Sequence, residues 1–159
     1  MEPLMVLHAT LASFVLTLGP LQILRRRRDA AHRLVGRVWV GAMVGTCASS
    51  FAIHPHGFNW LHGLAVFTLA SVTAGIVAIS RGNILAHRRN MSGSYLGTLV
   101  AFGFAALSPN RAIMHVALTD APSLLLAVTL ILATSAAIVS IALRPRPART
   151  GVVSASPSR

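Results

Sequence analysis

The chain has 159 residues, of which 54% are apolar and only 11% charged. A soluble domain is roughly a quarter charged, so this composition excludes an ordinary water-soluble fold, because too few polar side chains exist to cover a water-facing surface. The net charge of +11 does not point to nucleic acid: the fourteen basic residues, all Arg, cluster between and at the ends of apolar runs and after the last one, as they do beside spanning helices, and build no basic face on a folded domain.

Five apolar runs follow in chain order, at 3–24, 36–53, 61–80, 91–108 and 123–143. Each approaches the ~20 residues that cross a hydrocarbon core. The first opens on Met-Glu-Pro and ends on Arg25-Arg26-Arg27-Arg28, the reverse of a secretory signal, so it is expected to stay as an anchor. Asp29 reads as the N-cap of the second helix. The fourth run is short and carries Gly93, Gly97 and Gly103. Beyond the fifth, residues 144–159 are rich in Pro, Ser and Arg, a tail expected to lie near anionic headgroups.

Arginine counting predicts orientation. Segment 25–37 holds six Arg, 81–89 holds three, the tail holds four, segment 54–60 holds none, and the fourth connection holds Arg111 alone. Thirteen of fourteen then lie on one side of a five-span protein, the cytoplasmic side by the positive-inside rule. The expected fold is an all-α integral membrane bundle with five spans in one transmembrane domain, 1–143. It is N-out and C-in, in a bacterial inner membrane.

Small residues recur at four-residue spacing: Gly41, Gly45 and Ser49 on helix two, Ser71 and Gly75 on helix three, Gly93 and Gly97 on helix four. Such stripes let helix backbones approach closely in lipid. The lone Cys47 reads as a small buried apolar residue.

Leu7-His8 opens helix one and Leu61-His62 opens helix three; Ala31-His32-Arg33 and Ala86-His87-Arg88 follow the two basic loops. The His-to-His separations are 24 and 25 residues. This pattern predicts two repeated helical hairpins plus a fifth helix. One pair, His8 and His62, is expected near the outer side, and the other, His32 and His87, near the inner side. Paired imidazoles on facing helices are what six-coordinate haem iron requires. The arrangement resembles cytochrome b561-like di-haem proteins, which implies haem b and electron transfer across the bilayer.

In its motifs the chain resembles an uncharacterised bacterial membrane family, a domain of unknown function of the 2306 type. The residues that carry the likeness are Leu7-His8, Gly19-Pro20-x-Gln22, His32-Arg33-x-x-Gly36-Arg37, and His87-Arg88-x-x-Met91 with Tyr95. The chain departs from that pattern at Asn90, where an aromatic is expected, and at Ser94, where a basic residue is expected. The family implies a membrane fold and no activity.

Three functions follow from these residues. In the first, His8 and His62 ligate an outer haem. His32 with His87 then forms an inner haem or electron-entry site, with Arg33, Arg37, Arg88, Arg89 and Tyr95 around it. In the second, the chain is a non-catalytic accessory or scaffold subunit that packs on a membrane partner or a second copy and holds anionic lipid on its arginines. In the third, His54, His56 and His115, with His62 nearby, bind Zn²⁺ or Cu²⁺ on the outer face, since imidazole suits both ions. Only Glu2, Asp29 and Asp120 are acidic, so paired-carboxylate hydrolysis is excluded.

Overall fold

The computed structural model describes residues 2–25, 29–53, 57–107 and 120–143. Among them are five helices and no strand: α1 (Glu2–Leu24), α2 (Ala30–Ala52), α3 (Trp60–Ser80), α4 (Ile84–Leu107) and α5 (Ala121–Leu143). The second and fourth helices begin six and seven residues before the apolar runs that announced them. Their first turns therefore carry His32, Arg33 and Arg37 in α2, and His87, Arg88 and Arg89 in α4.

The early starts have a local cause. Asp29 accepts the His32 amide at 3.0 Å and caps α2. Asn59 accepts the Leu61 amide at 3.0 Å at the head of α3. Asn83 accepts the Ala86 amide at 3.0 Å at the head of α4, and Asp120 accepts the Ser123 amide at 3.3 Å at the head of α5. A short carboxylate or amide side chain satisfies amides that a first helical turn leaves without partners. Of these four caps only Asp29 was read from the sequence. Between α3 and α4 the chain reverses within three residues, where Gly82 adopts φ +75°, a left-handed conformation that favours glycine.

Helices α1 and α2 form one antiparallel hairpin, and α3 and α4 another. In the first, His8 meets Ser49, the indole Nε1 of Trp39 donates to the Val15 carbonyl at 3.0 Å, and Gln22 meets His32. In the second, Trp60 meets Phe104 edge-on at 4.9 Å, and Met91 lies over Gly75. The hairpins close into a ring in which α2 touches α3 and α4 touches α1. Within the described residues, α1 and α3 lie across one diagonal and α2 and α4 across the other, with no Cα pair within 8 Å. The mid-level of the ring is filled by Val15, Leu18, Met43 and Val72, each at most 2% exposed. Helix α5 lies outside the ring against α1 and α2, with Ser135 buried and Ile138, Val139 and Ala142 packed on the core.

Four of the five helices, α1, α2, α3 and α5, are long and apolar enough to cross a membrane. Helix α4 has the length, 24 residues. Its first two turns, however, are spent on His87, Arg88, Arg89 and Asn90, and Ser92, Ser94, Tyr95 and Thr98 follow.

The small-residue stripes are used in part. A Cβ on Gly45 would meet Leu11 at 2.8 Å, and one on Gly75 would meet Met91. One on Gly97 would touch Leu64 at 3.5 Å and Thr68 at 3.6 Å. Gly41 and Gly93 face nothing within 4 Å among the described residues. Cys47 is buried and in no disulfide.

Candidate functional site

The four histidines among the described residues occupy two levels of the bundle. At one end, His8 on α1 places Nδ1 2.9 Å from the hydroxyl of Ser49 on α2. The Ser49 hydroxyl also lies 2.8 Å from the Gly45 carbonyl and 3.0 Å from the Thr46 carbonyl, so the tautomer of His8 decides which of the two side chains donates to the other.

His62 sits at the same end on α3, 3% exposed, with its ring stacked 4.6 Å from Phe58 and tilted 5.9 Å from Phe51. Its Nδ1 accepts the Asn59 backbone N–H at 3.1 Å, closing a capping box with the Asn59 side chain. An Nδ1 that accepts leaves the hydrogen on Nε2 of the neutral ring. The two imidazoles at this end are thus held differently, His8 against a side chain of the neighbouring helix and His62 against the backbone of its own cap.

At the other end, His87 places Nδ1 2.9 Å from the Gly75 carbonyl. A carbonyl only accepts, so Nδ1 donates and Nε2 keeps its lone pair. His32 is the third residue of α2; its amide rests on Asp29 and its carbonyl accepts the Gln22 side-chain amide at 2.8 Å. Arg33, Arg37, Arg88 and Arg89 are all exposed on the first turns of α2 and α4. Tyr95 does not share a partner with His87: its hydroxyl reaches the Leu16 carbonyl of α1 at 3.2 Å, whereas His87 faces α3.

His54, His56 and His115 lie outside the described residues. Among the described residues no group of three or more His, Cys, Asp or Glu converges on a common point. Asp120, which precedes helix five beside His115 in sequence, caps α5.

The motif residues prove to be helix-locking groups. Gly19 lets the Tyr95 ring lie against α1, where a Cβ would collide with it. Pro20 has no N–H and so cannot serve the Leu16 carbonyl four residues back; Tyr95 serves it instead. Gln22 bridges to His32, and its amide nitrogen lies 3.1 Å from where a Cβ on Gly36 would stand. Two further links were not singled out in the sequence. Trp39 holds α2 to α1, and the Thr17 and Ser135 hydroxyls, 2.9 Å apart, tie α5 to α1. A Ser or Thr inside an apolar run gives no sequence signal of which helix it faces.

A ring of long apolar helices, joined by side-chain to backbone hydrogen bonds and carrying its charges at the helix ends, defines a multi-pass helical membrane protein. Residues 5–143 match the family model described as predicted membrane protein (DUF2306), and the chain belongs to that family. No curated protein matches it, and no solved structure does.

Proposed function

We propose that the chain spans the inner membrane of a bacterium five times, N-out and C-in, and serves as a non-catalytic accessory subunit that packs against a membrane partner. Helix α4 is the fifth span. It runs antiparallel to α3 through the contacts at Gly75, Gly97 and Phe104, and its 24 residues measure about 36 Å at the helical rise. Its Ser94 and Thr98 hydroxyls bond back to its own carbonyls at 2.9 and 3.0 Å, which removes their cost in lipid. With α4 spanning, thirteen arginines fall on one side, the cytoplasmic one.

The observation that carries the accessory reading is the use of the motif residues. Gly19, Pro20, Gln22, His87 and Tyr95 are engaged in holding helix to helix. The first ten residues of α5 carry no buried side chain among those described, and Gly41 and Gly93 present open backbone, so apolar surface is left for a partner helix.

A second reading, a b-type haem protein that passes electrons across the bilayer, is favoured by one observation: each diagonal pair of helices carries one His per helix at a matched end. When bound, haem would supply one-electron chemistry. Nε2 of His87 suits iron ligation, with the other ring nitrogen held as metal-ligating imidazoles require. His62 does not suit it while it caps α3, because its Nε2 carries the hydrogen.

Absorbance of the detergent-purified protein from a haem-replete host separates the two readings. The accessory reading expects no Soret band and a stoichiometric membrane partner on gentle extraction. A reversible Soret and α-band spectrum that disappears in His8→Ala and His62→Ala replaces it with the haem reading.

A further inference from the structure

At the end of the bundle where α1 finishes and α2 begins, a cleft of about 230 Å³ opens between α1, α2 and α5. Its wall is aliphatic: Leu21 of α1, Ala31 and Val35 of α2, and Val139, Ala142 and Leu143 of α5. Arg25 and Gln22 supply its polar lining. The volume is below the roughly 300–1,000 Å³ of pockets that engulf a small molecule, so it receives part of a ligand whose remainder lies elsewhere.

The chemistry at the mouth is cationic and incompletely used. Arg25 gives one Nη to Asp29 at 2.7 Å, and its Nε–H is buried with no acceptor among the described residues. Asp29 takes the Arg25 Nη on Oδ2 and the His32 amide on Oδ1 and makes no bond to the Nε–H. A buried guanidinium N–H without a partner costs free energy, and its planar fork matches phosphate oxygens.

We propose that this cleft binds an anionic phospholipid of the cytoplasmic leaflet, with the phosphate on the Arg25 Nε–H and the upper part of one acyl chain along Leu21, Val35 and Val139. A free phosphate would use the arginine but leave the aliphatic wall empty; a lipid uses both. The assignment rests on the proposed orientation only for the leaflet. The second hairpin repeats the setting in looser form. A cleft of about 490 Å³ between α3 and α4 is lined by Val77, Arg81, Ala86 and Asn90, and Ala86 and Asn90 stand 55 residues after Ala31 and Val35.

The test uses full-length protein in detergent micelles, offered phosphatidylglycerol and phosphatidylcholine in equal amounts and read by native mass spectrometry. Phosphatidylglycerol should be retained about fivefold over phosphatidylcholine, the effect of one cation near an anionic surface. Arg25→Gln should bring the ratio to about one, while Val139→Trp, which fills the wall and keeps the charge, should lower retention of both lipids. Circular dichroism confirms that each variant is folded. Equal retention by the parent protein, or an unchanged ratio in folded Arg25→Gln, overturns the proposal. Displacement of the lipid by millimolar inorganic phosphate, with Val139→Trp unaffected, shows a free-anion site and also overturns it. Micelles have no sidedness, so a reversed orientation found by thiol labelling of loop cysteines would sink the topology reading and leave the cleft standing.

Discussion

The Tyr95 hydroxyl on α4 donates to the Leu16 carbonyl of α1 at 3.2 Å, the acceptor that Pro20 leaves without its helical donor. One residue removes a hydrogen bond inside α1 and another, 75 positions later in the chain, replaces it from across the bundle. In hydrocarbon an orphaned carbonyl has no water to turn to, so the proline ties α1 to α4 while leaving α1 continuous.

That relationship predicts a coupled pair. Tyr95→Phe should lower stability by about 1 kcal/mol, in the range of interhelical hydrogen bonds in membranes. Pro20→Ala returns an N–H to the Leu16 carbonyl, so the same Tyr95→Phe change should cost less than half as much in that background. Thermal unfolding of the four proteins in nanodiscs measures the cycle, and equal costs in both backgrounds would show that Tyr95 acts through ring packing alone.

The glycines separate by what they face. Gly19→Ala drives a methyl into the Tyr95 ring and should cost about 1–3 kcal/mol, as overpacking does; Tyr95→Ala should recover most of it. Gly41→Ala meets nothing within 4 Å and should leave the isolated protein unchanged or raise its stability by up to about 1 kcal/mol through helix propensity. If both substitutions destabilise the purified monomer alike, the α1–α4 contact is not what Gly19 serves.

His8 and Ser49 should be coupled by roughly 0.6–1.7 kcal/mol in a double-mutant cycle, since the pair is an interhelical hydrogen bond of 2.9 Å. Additive losses from His8→Ala and Ser49→Ala would instead mean that each residue acts separately.

Asp29 predicts a pH dependence with a definite sign. The His32 amide first, and the Arg25 side chain second, hold its carboxyl below the ordinary carboxylate value, which is about 3.9. A group whose folded pKa is depressed gives its full support above the unfolded value and loses it as pH falls through the folded one. Protection of the His32 amide from hydrogen exchange should therefore hold at neutral pH and begin to fall below about pH 4. Asp29→Asn keeps the cap but has no proton to gain, so its protection should stay flat from pH 6 to 2; a parallel fall in that variant would place the titration elsewhere.

The sequence by itself determined the class of protein and most of its helices. An apolar run of about 20 residues has few alternatives once water cannot satisfy its backbone, so α1, α3 and α5 were legible to within two residues. Asp29 as a cap and the four histidine positions along their helices were legible for the same local reason.

Only the tertiary structure decided what those side chains do. The early starts of α2 and α4 come from Asp29 and Asn83 accepting amides just outside the apolar runs, where hydropathy is blind. His8 and His62 look equivalent in sequence, each following a Leu at the head of a helix. Yet one reaches across to the Ser49 hydroxyl of the next helix and the other accepts the amide of its own cap, because the partner that a ring finds is set by the packing around it. Gly19, Pro20 and Tyr95 read as separate motif letters until the fold brings them together at one point, where the backbone bond that proline forfeits is supplied from another helix.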